Sequence, residues 1–132
     1  MDKRTSVLIA DNSEEFCTSV SAALQRTDRF TILGTANDGE MAMEILEEQR
    51  PAILVLDLML AKRDGISVLK AISALDYPPA TLATSGFVTE FVASAAAGLG
   101  ARYLMLKPCD MAALVERLEE IRGGESQRKT LN

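Results

Sequence analysis

A chain of 132 residues can bury one core, and its 48% hydrophobic and 25% charged shares are those of an ordinary globular domain. A net charge of −5 argues against nucleic-acid binding by its own surface, and the absence of histidine excludes Ser-His or Cys-His catalysis and histidine-ligated zinc. No apolar run reaches the length of a membrane span or a signal peptide, so a cytoplasmic location is expected, with Cys17 and Cys109 as free thiols.

The first strand candidate is SVLIA (6–10), ending at Asp11. Asn12 followed by Glu15 has the spacing of a capping box, opening a helix marked by Phe16, Val20, Ala23 and Leu24. TILGTA (31–36) follows, then a helix carrying Met41, Ile45 and Leu46. The third strand, AILVLD (52–57), continues into a run, ILVLDLML, with one bare carboxylate, Asp57, in its middle. Burying an ionised carboxylate without a partner costs several kcal/mol at least, about 2–7 even for a neutral polar group. Asp64 suits an N-cap for GISVLKAISAL (65–75), and ATLATS (80–85) is the fourth strand. Val88, Phe91, Val92, Ala95, Ala96 and Leu99 repeat with helical period, closed by Gly98 and Gly100. ARYLML (101–106) is the fifth strand, and Asp110 can cap a last helix bearing Met111, Leu114, Val115, Leu118 and Ile121. Residues 1–122 thus form one domain, and GGESQRKTLN (123–132) reads as a polar tail or the start of a linker.

Five apolar strands alternating with five helices imply an α/β fold, a parallel sheet covered on both faces. Chemistry then gathers at the carboxyl ends of the strands. Asp11, Asp57, Ser85 and Lys107 all fall at that edge. Singly, most have plain explanations. Asn12 suits capping, Ser85 before Gly86 a turn, Asp64-Gly65 a helix start, and Lys107 a strand end reaching for water. Asp57 has none, because packing does not call for an acid inside ILVLDLML. Together the groups suit phosphoryl transfer to a carboxylate. Asp57 would be the nucleophile, Lys107 a mobile positive charge, Ser85 a hydrogen-bond donor, and Mg²⁺ the ion that neutralises incoming charge.

The stretches VLIADN, LVLDLMLAKRDG, ATSG and LGARYLMLKP resemble the receiver domain of two-component and phosphorelay response regulators, across residues 4–122. LGARYLMLKPCDM is most similar to the sporulation branch. The resemblance implies a flavodoxin-like doubly wound (βα)5 fold with strand order 2-1-3-4-5. It implies that Asp57 accepts a phosphoryl group from a histidine kinase or a histidine phosphotransfer protein. Asp11 and Asn12 occupy the acidic-pair positions, Met59 supplies a backbone carbonyl to the metal, and Ser85 and Lys107 are the switch hydroxyl and the lysine. The Lys107-Pro108 bond should be cis, and the face of the fourth helix, fifth strand and fifth helix should change partners, a second copy of the chain among them. Neither nucleic acid nor membrane is an expected partner of this domain.

Three positions depart from the family pattern. Asn12 replaces the second acid, Ala61 the proline four residues after the phosphoacceptor, and Leu104 the aromatic switch residue, with Tyr103 on the opposite strand face. A degenerate receiver that never takes phosphate and serves as an interaction module is the competing reading. A flavin protein of the same fold is disfavoured, since ADNSEE repels phosphate, and an aspartate-based phosphatase wants an acid where Met59 stands. The expected protein is a switch rather than a turnover enzyme.

Overall fold

The computed structural model describes the backbone of residues 3–131 and the side chains of residues 3–124. Elements alternate as β1 (Thr5–Ala10), α1 (Glu14–Thr27), β2 (Phe30–Ala36), α2 (Gly39–Gln49), β3 (Ile53–Asp57), α3 (Gly65–Ile72), β4 (Ala80–Ser85), α4 (Glu90–Gly98), β5 (Ala101–Leu106) and α5 (Met111–Leu131). The strands form one parallel sheet in the order β2-β1-β3-β4-β5. This is the flavodoxin-like arrangement expected.

Strand alternation explains the continuous apolar runs. Leu8 and Ala10 of β1 and Leu54 and Leu56 of β3 face one core, shared with α2, α3 and α4. Val7, Ile9, Ile53 and Val55 face the other, against α1 and α5. Each central strand buries both of its sides, so neither can carry a polar register. β1 and β3 can then present acidic groups only at their ends, which places the site.

Local signals set the helix starts, with some differences from the sequence. Ser13, not Asn12, caps α1, its hydroxyl accepting from Phe16 N–H at 3.1 Å. Ser13 is one place nearer the helix and extended in backbone (φ −90°, ψ 110°), the conformation a cap requires. Asp64 caps α3 as expected, and Asp38 and Thr89 cap α2 and α4. α3 ends at Ile72, three residues early. In α4 the sheet takes the stripe Val92, Ala96 and Leu99. Phe91 lies about 100° outside that stripe and is 82% exposed, so it is surface rather than core. α5 remains helical through Gly123 and Gly124 to Leu131, where a tail was expected from residue 123. The Gly pair costs only about 1 kcal/mol per residue, and Glu, Gln, Arg and Lys are good helix formers. Gly100, at φ +98°, closes the turn into β5, its N–H bonded to the Ala97 carbonyl at 3.0 Å. No helix among the described residues is long and apolar enough to cross a membrane.

Candidate functional site at the carboxyl edge of the sheet

Parallel pairing in register carries Asp57 beside Thr84 and Ser85 beside Leu106, so β3, β4 and β5 end together. Asp57, the last residue of β3, is buried, and so is Asp11, directly after β1. Both carboxylates are held by the backbone that follows them. Asp11 Oδ1 accepts from Ser13 N–H at 2.8 Å, and Asp57 Oδ1 from Met59 N–H at 2.9 Å. The other oxygen of each turns toward Lys107. Its ammonium donates to Asp11 Oδ2 and lies 3.5 Å from Asp57 Oδ2. Burial opposes the charge on Lys107, yet the two carboxylates outweigh it and lift its pKa above the ordinary lysine value.

The strand ends fix the lysine's backbone as well. Lys107 N–H donates to the Ser85 carbonyl at 2.8 Å, and the Lys107-Pro108 bond is cis. The loop after Asp57 is fastened at three points. Leu58 N–H reaches the Thr84 carbonyl at 2.9 Å, Gly65 N–H the Leu58 carbonyl at 3.2 Å, and Gly39 N–H the Ala61 carbonyl at 3.2 Å. Asp38 adds an ion pair to Lys62 at 3.5 Å.

Asp11, Asp57 and Lys107 therefore converge. Ser85 is at the same edge, but its hydroxyl donates to the Phe87 carbonyl at 2.7 Å and accepts from Phe87 N–H at 3.2 Å, within its own loop. Asn12 and the Met59 side chain are exposed, so at Met59 the backbone rather than the side chain belongs to the site. Leu104 packs in one core and Tyr103 in the other, with the Tyr103 hydroxyl donating to Glu120 at 2.5 Å. The aromatic ring is thus committed to α5.

Sequence reasoning missed four contributors. Ser13 ties α1 to Asp11, as above. Phe16 packs against the core under α1 and α5 as expected, and in addition places its ring under the Lys107 ammonium, 4.3 Å from the ring centroid. Gly65 packs so closely that a Cβ there would lie 2.4 Å from Leu58 Cα and 2.7 Å from the Asp57 carbonyl. Thr84 has a buried hydroxyl with no hydrogen-bond partner, beside Asp57 in register. The Asp64-Gly65 pair starts α3 as the sequence implies, and the close packing of Gly65 on the Asp57 carbonyl is what residue type alone does not show.

The donors suit a hard cation. Two buried carboxylates share one ammonium, which leaves one negative charge uncompensated at an edge of oxygen donors. Among the described residues no cluster of three or more His, Cys, Asp or Glu is present. A metal would therefore rest on two carboxylates, neutral oxygens and water, a set that Mg²⁺ accepts because it keeps several waters.

Proteins of known family and structure share this fold. Residues 7–119 match the response regulator receiver domain family. Among solved structures, the chain is 27% identical to one in the CheX–CheY–BeF3–Mg²⁺ complex of Borrelia burgdorferi, with a TM-score of 0.82 over 89% of this chain and 88% of that one. The response regulator domain of Thermotoga maritima CheB is 24% identical, with a TM-score of 0.80 over 91% and 95%. The isolated receiver of RcsB from Salmonella enterica serovar Typhimurium, solved with phosphomimetic BeF3⁻, is 20% identical, with a TM-score of 0.83 over 92% and 90%.

Proposed function

The chain belongs to the response regulator receiver domain family, and from that premise we propose that Asp57 takes a phosphoryl group from a phosphohistidine on a histidine kinase or histidine phosphotransfer protein. The observation that carries the reading is the placing of Asp57 Oδ2 beside the Lys107 ammonium, 3.5 Å away. Oδ1 is occupied by Met59 N–H, so Oδ2 is the oxygen that attacks phosphorus as the P–N bond of the donor breaks. Lys107 is placed to follow the phosphoryl oxygens, exchanging its contact with Asp11 for one with the new group. Since these 132 residues contain no histidine, the donor imidazole must come from outside them.

Mg²⁺ would be held by Asp11, Asp57, Asn12 and the Met59 carbonyl, and when bound it neutralises charge on the phosphoryl oxygens. Ser85 would leave the Phe87 carbonyl for the phosphoryl group. That would change the surface around Phe87, Phe91 and Leu106, which are 67%, 82% and 58% exposed. Partners of the α4–β5–α5 face, a second copy included, would be exchanged there. A cytoplasmic location, with no nucleic acid or membrane bound by this domain, belongs to the same reading.

Incubation with Mg²⁺ and acetyl phosphate, followed by intact mass, tests the proposal. Wild type gains one phosphoryl group and Asp57→Asn gains none. Asn12 in place of a second acid favours the other reading, a degenerate interaction module. No added mass in wild type would support that instead.

A further inference from the structure

A closed circuit of four contacts joins the first turn of α1 to the end of β5. Ser13 N–H donates to Asp11 Oδ1, and Ser13 Oγ accepts from Phe16 N–H. The Phe16 ring lies under Lys107 Nζ, and Lys107 Nζ returns to Asp11 Oδ2. The helix cap therefore sets the height of the ring, and the ring and Asp11 together set the ammonium.

A phenylalanine that only filled space would meet the lysine differently. Lysine normally lays its methylene stem on apolar surface and sends its head to water. Water is within reach here. Phe16 borders an open hollow of about 370 Å³ with Ser13, Glu15, Lys107, Pro108 and Met111. Nevertheless the charged nitrogen itself sits 4.3 Å from the ring centroid, well inside the range of attraction between a cation and the negative ring face. A lysine head has much rotamer freedom to lose whenever it is used. A seat that holds it beforehand removes that cost from the phosphorylation step.

We propose that Phe16 is a positioning residue, whose ring face holds the Lys107 ammonium between Asp11 and Asp57 ready for the incoming phosphoryl group. The positioning role rests on the phosphoacceptor reading of Asp57, whereas the contact itself does not. Phe16→Leu keeps an apolar side chain but removes the ring face, and Phe16→Tyr restores it.

Two measurements decide the matter. In the first, a double-mutant cycle of Phe16→Leu with Lys107→Met is run on urea unfolding in EDTA. The pair should be coupled by about two- to thirtyfold in the folding equilibrium. In the second, acetyl phosphate labelling of Asp57 is timed by intact mass. Phe16→Leu should be slower by a similar factor, and Phe16→Tyr should return to the wild-type rate. An additive cycle overturns the contact. A coupled cycle with Phe16→Leu labelling at the wild-type rate, or with Phe16→Tyr as slow as Phe16→Leu, overturns the positioning role. Wild type that takes no phosphoryl group defeats the phosphoacceptor reading and the role with it, while the cycle still decides the contact.

Discussion

Lys107 is bound more closely to Asp11 than to Asp57: its ammonium donates to Asp11 Oδ2, while Asp57 Oδ2 stands 3.5 Å away. One cation thus serves two buried acids, and removing it leaves like charges facing each other. Breaking a fully buried pair costs about 3–5 kcal/mol. Lys107 keeps 21% of its side chain exposed, and water screening reduces the expected loss to about 1–3 kcal/mol. Lys107→Met should lose that much in urea unfolding with EDTA, and Mg²⁺ should stabilise the variant more than wild type. Equal stabilisation by Mg²⁺ would count against the shared charge. The sign with pH follows from the raised pKa of Lys107. Its contribution is complete below the unfolded value, about 10.4, and is lost only as pH rises through the higher folded one. The gap between wild type and Lys107→Met should therefore hold from pH 7 to about pH 10 and close above that.

Glycines around the Asp57 loop should be intolerant of even one carbon. A Cβ on Gly39 would sit 1.8 Å from the Arg63 carbonyl oxygen, and one on Gly65 2.4 Å from Leu58 Cα. Both obstacles are backbone and cannot swing aside. Gly39→Ala and Gly65→Ala should each cost about 1–3 kcal/mol or more in urea unfolding. Gly98, in α4 with nothing within 4 Å of a Cβ, is the control. Gly98→Ala should stabilise by up to about 1 kcal/mol.

The fold was legible because its signals are redundant. β1 and β3 read as unbroken apolar runs only when both faces are covered, and Asp11, Asp57, Ser85 and Lys107 each follow or end a strand. What was hidden depends on geometry between elements. Phe16 has the helical spacing of a core residue, and spacing cannot show that a lysine 91 positions later lies over its ring. Phe91 fits the same period as Val92, and only the docking of α4 decides which one meets the sheet. Asn12 and Ser13 are equally good capping types, so composition could not choose between them. The Ser85 hydroxyl was placed at the correct edge, but its bond to Phe87 follows from a loop conformation that residue type does not determine.

Cys109 should be a sluggish thiol despite its place beside the site. Burial, foremost, lifts its pKa, and the nearby Lys107 ammonium lowers it by less. The thiolate is the reactive form, so at neutral pH its population falls below that of a free thiol with pKa near 8.5. Alkylation by iodoacetamide, followed by peptide mass, should show a rate at Cys109 still rising well above pH 8.5. A rate that levels off below that pH would contradict the direction of the shift.

Asn12→Asp should tighten Mg²⁺ and speed labelling of Asp57. Two carboxylates about 4 Å apart repel by roughly 4 kcal/mol at an effective dielectric near 20, and a divalent cation attracts each by about twice that. The added acid loses less to its neighbour than it gains from the ion. Calorimetric titration of both proteins with Mg²⁺ checks this, and equal or weaker binding by Asn12→Asp would refute it.

Ser85 should carry the signal away from Asp57 without being needed to receive it. Its hydroxyl is bonded to both the carbonyl and the N–H of Phe87. To reach a phosphoryl group on Asp57 it must give up at least the carbonyl, which frees the segment leading to Thr89, the cap of α4. A hydrogen bond of this kind is worth about 0.5–1.5 kcal/mol. Phe87 is largely exposed, so water can replace the lost partner and Ser85→Ala should cost no more than about 1 kcal/mol. With beryllofluoride and Mg²⁺ as phosphoryl mimic, amide resonances of residues 86–91 should shift in wild type. In Ser85→Ala the Met59 amide, bonded to Asp57 Oδ1, should still respond while the 86–91 shifts shrink. Shifts of wild-type size at 86–91 in Ser85→Ala would show that α4 is moved by some other route.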